Sequence, residues 1–476
     1  MTRKTSPNLL FIFTDEQRWD TLRACGNMKI RTPNLDRLAE QSIVFDRPYV
    51  TQSVCTPSRS SIMTGLYPHT NGCTRNNLPL PEACPALVEL ADFSDYYTGY
   101  IGKWHLGDEI FCQHGFDEWI STEDEYWKHY STARDRNERS SYHRWLMEKG
   151  YEPDVCSDGR RLFRRATAAR MPERHCKPSF QAERARSFIE QNRSAPFVLY
   201  VNFLEPHMPF FGPRDDQYDP ADVDLPPNFE MPPANNVPYK IRRRFRKTRK
   251  LETFTGTPTP GESEWRRLIA HYWGLVSQVD TATGRILDAL DEFGVTDNTI
   301  IVFTSDHGDM MGSHQLITKD IQYEEAVRVP LLLKIPDHPR CGTRFTAPVS
   351  QIDLIPTLLD YLGKKPTAEL EGYSWRPTLD ENKPLTEPNV FIEWSPQGDG
   401  VEKDRDHSIR TIITPDGWKF NWELYGEHEL YHLGEDPWES TNLYGRPEYK
   451  DLVRELSAHI QTWQQRTNDT VRFPEP

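Results

Sequence analysis

Two short, nearly unbroken apolar and β-branched runs, Leu9-Leu10-Phe11-Ile12-Phe13 and Thr299-Ile300-Ile301-Val302-Phe303-Thr304, are each followed, after one hydroxyl residue, by an acid. Such runs are too continuous for a strand with one wet face and read as strands buried on both faces. Phe197-Val198-Leu199-Tyr200-Val201-Asn202-Phe203 and Pro330 to Ile335 have the same texture. Helical stretches lie between them, among them Asn34 to Gln41, with Pro33 just before it, and Glu264 to Phe293. This alternation predicts an α/β fold: a mostly parallel, doubly wound sheet sandwiched by helices. Ligands of such sheets sit beyond the strand ends. Here those ends read Thr14-Asp15-Glu16-Gln17 and Ser305-Asp306-His307-Gly308-Asp309. Either acid alone reads equally well as a helix N-cap. Two acidic strand ends converging on one crevice point to a hard divalent cation held by oxygen ligands.

The length of 476 residues suits two or three domains. An α/β domain over 1–385 carries a proline-rich excursion at about 205–262, which includes the basic run Arg242-Arg243-Arg244-Phe245-Arg246-Lys247. From 386 to 476 the texture changes to short strands, at Val390 to Trp394, Ser408 to Thr414, Trp418 to Trp422 and Glu429 to His432. A helix from Glu448 to Gln465 follows. This predicts a smaller C-terminal α+β subdomain with an antiparallel sheet. A net charge of −14 argues against a nucleic-acid partner. No apolar run nears the roughly 20 residues of a membrane span. The first apolar stretch lacks the features of a secretory signal, so a cytoplasmic location is expected. The eight cysteines are scattered, with no Cys-x-x-Cys pair, which fits neither a zinc site nor a disulfide framework.

The chemistry-bearing segments come in order. Ser53-Val54-Cys55-Thr56-Pro57-Ser58-Arg59 continues through Ser60-Ser61-Ile62-Met63-Thr64-Gly65. Tyr100-Ile101-Gly102-Lys103-Trp104-His105-Leu106-Gly107 comes next, then Glu205-Pro206-His207-Met208-Pro209-Phe210, then Lys319 through Tyr323-Glu324-Glu325-Ala326-Val327-Arg328-Val329-Pro330. A lone cysteine is more often an inert buried thiol, a lone lysine a solvated charge, and a lone histidine structural. Together, however, these segments resemble the type I, formylglycine-dependent sulfatases of the alkaline phosphatase superfamily. Leu430-Tyr431-His432-Leu433 and Asp436-Pro437 resemble that family's C-terminal part.

The resemblance implies an alkaline-phosphatase-like fold and a maturation step. A formylglycine-generating enzyme would convert Cys55 to 3-oxoalanine, whose hydrate is the nucleophile. One divalent ion would be held by Asp15, Glu16, Asp306, His307 and residue 55. Calcium is the first expectation; the histidine donor also suits manganese or zinc. Glu16 stands where many members have a second aspartate. Arg59 would orient the aldehyde and the ligands. Lys103 would hold the sulfate oxygens, and His105 would be the base acting on the hydrate. His207 would bind sulfate or donate a proton, and Lys319 would contact the sulfate and the leaving oxygen. Arg328 and Glu325 are expected as a supporting ion pair, with Trp104, His69 and His314 structural.

The expected activity is hydrolysis of a sulfate monoester of a small molecule or oligosaccharide, above all a sulfated sugar. A phosphonate monoester or phosphodiester hydrolase of the same superfamily is the alternative. A binding protein with unmodified Cys55 is a further reading. A phosphoglycerate-mutase-like transferase is opposed by Cys55-Thr56-Pro57-Ser58-Arg59. The basic segment 242–250 reads first as a solvated stretch, and otherwise as an anchor for a polyanionic substrate or a neighbouring subunit. The sequence leaves a homo-oligomer open.

Overall fold

The structure is a computed structural model that describes residues 6–156, 158–233, 237–248, 261–397 and 407–476. The main sheet is built from β1 (Asn8–Asp15), β2 (Ile43–Tyr49), β3 (Tyr97–Gly102) and β4 (Glu118–Ser121). A separate ribbon of β5 (Asp154–Val155) and β6 (Arg161–Leu162) comes next in the chain. The main sheet then resumes with β7 (Phe197–Pro206), β8 (Thr299–Ser305), β9 (Leu331–Lys334) and β10 (Arg344–Ser350). Its order is β10-β2-β9-β8-β1-β7-β3-β4.

Successive side chains of a strand point to opposite faces. Leu9, Phe11 and Phe13 of β1 therefore join one core, with Ile62, Leu354, Leu358 and Trp375. Leu10 and Ile12 join the other, with Ala182, Ile189, Val279 and Ile286 from helices Lys177–Asn192 and Glu262–Glu292. Both faces are covered, which is why the run has no polar break. β1 is parallel to β7 and to β8. Those pairings bring the two acidic strand ends side by side.

The run from Pro330 to Ile335, read as one of the parallel strands, pairs antiparallel with both β2 and β8. An unbroken apolar run reports burial on both faces, and here the flanking strands and helices bury it whichever way it runs. The sheet is mixed as a result, and still mostly parallel.

Four short strands, β11 (Val390–Trp394), β12 (Ile409–Ile413), β13 (Trp418–Glu423) and β14 (Glu429–His432), form a separate antiparallel sheet in sequence order. Helix Lys450–Thr467 lays Val453, Leu456, Ile460 and Trp463 on its Phe391, Ile412 and Phe420 face. Trp463 stacks on Phe391 at 5.2 Å. Lys419 of β13 is wholly buried and pairs with Glu439 at 2.8 Å and with Glu324 at 3.1 Å. That contact ties this sheet to the segment that carries Lys319. His69 plays the structural part expected of it, bonded to Glu393 of β11.

β3 ends on Gly102 with φ of +124°, a backbone state that L side chains rarely adopt. A Cβ there would lie 2.0 Å from the Asn202 carbonyl oxygen of β7. Only glycine lets the chain turn at this point and aim the next residue, Lys103, beneath the strand ends. Gly102→Ala should cost on the order of 3 kcal/mol or more. Thermal and urea melting against wild type measure it, and an unchanged midpoint would contradict the account.

Candidate active site

Cys55 is the first residue of helix Cys55–Thr64 and Arg59 lies one turn further on, so both share a face. The Arg59 guanidinium donates through Nη2 to Asp15 Oδ2 and through Nε to Asp306 Oδ2, each at 2.7 Å. All three side chains are essentially without solvent exposure. Lys103 Nζ, equally buried, also bonds Asp15 Oδ2. Burial alone would raise the Asp15 pKa, but Lys103, His207 and Arg59 outweigh it and hold the carboxyl well below its usual range.

With the Oδ2 atoms so occupied, Asp15 Oδ1 lies 3.7 Å from Cys55 Sγ, and Asp306 Oδ1 accepts the Glu16 backbone N–H at 3.1 Å. His307 donates its Nδ1–H to the Gly308 carbonyl at 3.0 Å, which leaves the Nε2 lone pair free. That Nε2 lies 3.2 Å from Cys55 Sγ, 3.5 Å from Asp306 Oδ1 and 3.8 Å from Asp15 Oδ1. Asp15, Cys55, Asp306 and His307 thus offer four donor atoms within 4.8 Å of one another, all buried. Two carboxylate oxygens, an imidazole nitrogen and residue 55 fit one divalent ion.

Glu16 stands apart from this group. It has a φ of +69°. Its Oε2 accepts from Lys319 Nζ at 2.7 Å and lies 3.4 Å from His207 Nε2. It groups with Asp15 and His207 rather than with the four donors. Burial raises its pKa well above the ordinary range in spite of Lys319, and neighbouring Asp309 pushes the same way.

Above the donors lies a pocket of about 450 Å³ lined by Cys55, His105, His207 and Lys319. Arg59 and Lys103 lie beneath its floor. His105 has a φ of +59°. Its backbone N–H and that of Trp104 both bond the Glu109 carboxylate, at 2.6 and 2.7 Å. Its Nε2–H donates to Asn77 Oδ1 at 2.9 Å, and its ring stacks on Tyr126 at 4.2 Å. Its Nδ1 is buried with no partner among the described residues. Burial, then Lys103 and Arg59, push its pKa well below the ordinary histidine range. Burial and then Lys319 do the same to His207. Burial would lower Lys319, but Cys55, Glu16 and Asp15 raise it well above the usual lysine value.

The pocket also holds residues that sequence reasoning missed: Asn76, Asn77, Tyr126, Arg165 and Asp320. No motif or periodicity marks them; only the tertiary fold brings them here. Arg244 corrects the solvated reading of the basic segment. It lies on helix Tyr239–Thr248, lines the pocket, and bonds Asp320 at 2.6 Å and Thr318 Oγ1. Arg242 bonds Glu427 at 2.9 Å. Arg249 and Lys250 lie outside the described residues. The expected pair of Arg328 with Glu325 is also corrected. Arg328 reaches Glu324 at 4.0 Å and stacks on Trp19, while Glu325 accepts from Asn228. His314 is bonded to the carbonyls of Met231 and Trp438, and Trp104 is core. A second cavity of about 420 Å³, beside Arg18 and Trp19, contains none of the site residues.

The sulfatase family model matches residues 7–364, and that of the N-sulphoglucosamine sulphohydrolase C-terminal region matches residues 312–466. The chain is 30% identical to an arylsulfatase of Clostridium perfringens, over 94% of this chain and 92% of the relative. It is 29% identical to the multifunctional alkaline phosphatase superfamily protein PehA of Trinickia caryophylli, over 97% and 95%. Its fold is similar to a structure solved in complex with its substrate D-glucosamine-2-N,6-O-disulfate. There the TM-score is 0.75 at 23% identity, over 98% and 99% of the two chains. The chain therefore belongs to the sulfatase family, the sulfuric ester hydrolases of the alkaline phosphatase superfamily.

Proposed function

We propose that the protein hydrolyses the sulfate monoester of a sulfated sugar at residue 55. One juxtaposition supports this most: residue 55 forms the floor of a pocket walled by His105, His207 and Lys319 and completes a group of four buried donors with Asp15, Asp306 and His307. When converted to 3-oxoalanine, residue 55 would supply a geminal diol, one hydroxyl to attack sulfur and the other to let sulfate depart by elimination. The encoded thiol is a poor substitute, since burial and then Asp15 push it up to about 11. A divalent ion, calcium first, would be held by Asp15, Asp306, His307 and residue 55, where it would polarise the nucleophile and the sulfate oxygens.

The other side chains have separable tasks. Lys319 stays protonated and meets the sulfate charge and the leaving oxygen. His105 is neutral, with Nε2–H committed to Asn77, so its free Nδ1 is the atom that accepts the proton from residue 55. Arg59 and Lys103 fix Asp15 and set the positive field under the sulfate. Glu16 accepts a hydrogen bond from Lys319 and so positions its ammonium group. Arg244 and Thr248 of the excursion form part of the wall that the alcohol would meet.

Two outcomes are expected. Cys55→Ala should lower turnover of an aryl sulfate by roughly 10³-fold or more, and Cys55→Ser nearly as much, because a single hydroxyl cannot release sulfate by elimination. Wild-type activity in either would refute the role of residue 55. Aryl phosphonate assayed in parallel should be the slower substrate; the reverse order would favour the phosphonate hydrolase reading. For the ion, wild-type protein should contain about one divalent ion per chain by elemental analysis. Asp306→Ala should lose it, and with it up to about 4 kcal/mol of stability at an ion concentration a thousand times its dissociation constant. Glu16→Gln should retain the ion. Loss of the ion in Glu16→Gln, or full activity after chelation, would contradict the assignment.

A further inference from the structure

One wall of the catalytic pocket carries a cation that the chemistry proposed above leaves without a task. Arg165 lines it, with its side chain 18% exposed. Its Nε donates to Glu123 Oε2 and its Nη2 to the Tyr126 hydroxyl, each at 2.7 Å. Its backbone N–H bonds Glu125 Oε1 at 3.1 Å. These bonds fix the guanidinium against Tyr126, the ring on which His105 stacks. Its Nη1 makes no hydrogen bond among the described residues.

Arg165 does not have its nearest counter-ion to itself. Glu123, wholly buried, is shared between Arg165 and Lys177. Burial would raise Glu123, yet these two cations bring it down to about 2. Glu123 is therefore divided between two cations, and Glu125 is the second carboxylate near Arg165. Glu205, deeper on the same side, is pushed by burial up to about 7, and its Oε2 has no partner among the described residues. Glu125 approaches only to 3.8 Å, from the rim. The opposite wall differs. Arg244 there is committed to Asp320 and Thr318. Asp320 is the only carboxylate among the described residues that line the pocket, and it is spent on that pair. The pocket thus offers no free carboxylate to a cationic substrate, and it offers one guanidinium edge to an anion.

We propose that the alcohol released by this enzyme carries a second anionic group, a carboxylate or another sulfate, and that Arg165 binds it through the open edge of its guanidinium. The inference rests on the sulfatase reading and goes beyond it to the class of sugar. It also moves the polyanion preference expected of the basic segment to a residue outside that segment. A guanidinium presents N–H donors in a plane that suits oxyanions and stays charged at any working pH. Charged hydrogen bonds of this kind discriminate by about tenfold or more.

The test uses matched pairs that share one sulfate ester. The first is N-sulfoglucosamine 6-sulfate against N-acetylglucosamine 6-sulfate. The second is an unsaturated uronate 2-sulfate against its methyl ester. Dissociation constants are measured by calorimetry in full-length Cys55→Ala protein, with and without Arg165→Gln or Arg165→Lys, so that no turnover is needed. In at least one pair the anionic member should bind about tenfold or more tightly, and the pair that shows it tells sulfate from carboxylate. Arg165→Gln should bring that ratio towards one, and Arg165→Lys should retain part of it. The ratio is internal: a variant that misfolds loses both members of a pair, and Arg165→Lys then decides. Ratios at or below one in both pairs, or a ratio that Arg165→Gln leaves intact, would overturn the proposal. Turnover of 4-nitrophenyl sulfate by wild-type protein reports separately on the sulfatase reading.

Discussion

The Arg59 guanidinium, held between the buried carboxylates of Asp15 and Asp306, is the contact on which the rest of the site depends. Three ionised groups with almost no solvent exposure are costly to desolvate, and each is tolerable only while its partners are in place. The arrangement follows from topology. β1 and β8 are adjacent and parallel, so their ends deliver both acids to one point. Arg59 reaches that point only if helix Cys55–Thr64 descends onto the strand ends with Cys55 foremost. Placing residue 55 over the carboxylates and neutralising the carboxylates are therefore one structural event.

The same economy of charge explains the protonation states around the pocket. Burial first, and then the neighbouring cations, hold the two histidines neutral, while the adjacent carboxylates keep Lys103 and Lys319 charged. A neutral base beside a permanent cation suits cleavage of a sulfate ester, because the base accepts a proton without adding charge in the ground state. The tautomer of His105 is set by Asn77, and the backbone of His105 is gripped by Glu109. The excursion reaches back through Arg244 to the turn carrying Lys319, where Thr318 and Asp320 both have positive φ.

Much of this was legible in the sequence because it is local. A double-faced strand has no polar break, and an acid at its end marks the crevice. Cys55 and Arg59 are one helical turn apart, so their shared face follows from spacing alone. Strand direction was not legible at β9, because burial on both faces erases the alternation that would separate a half-exposed strand from a covered one, and it carries no information on direction. Glu16 follows Asp15 at the same strand end, yet its backbone turns to positive φ, and its carboxylate meets Lys319, more than 300 positions further along the chain, in a group with Asp15 and His207. Arg165, Tyr126 and Asn77 lie in segments without any recurring pattern. Their proximity to Cys55 is a property of the folded chain and has no counterpart in local spacing.

The claim that residue 55 does the chemistry only after conversion can be tested by quantity. Preparations with different degrees of conversion, made by varying coexpression of a formylglycine-generating enzyme, would have the fraction of 3-oxoalanine in the peptide spanning residue 55 read by mass spectrometry. The converted peptide is lighter, since oxygen replaces sulfur. Specific activity on an aryl sulfate should rise in proportion to that fraction and extrapolate to zero at zero conversion. A preparation with cysteine alone at position 55 and undiminished activity would contradict the account.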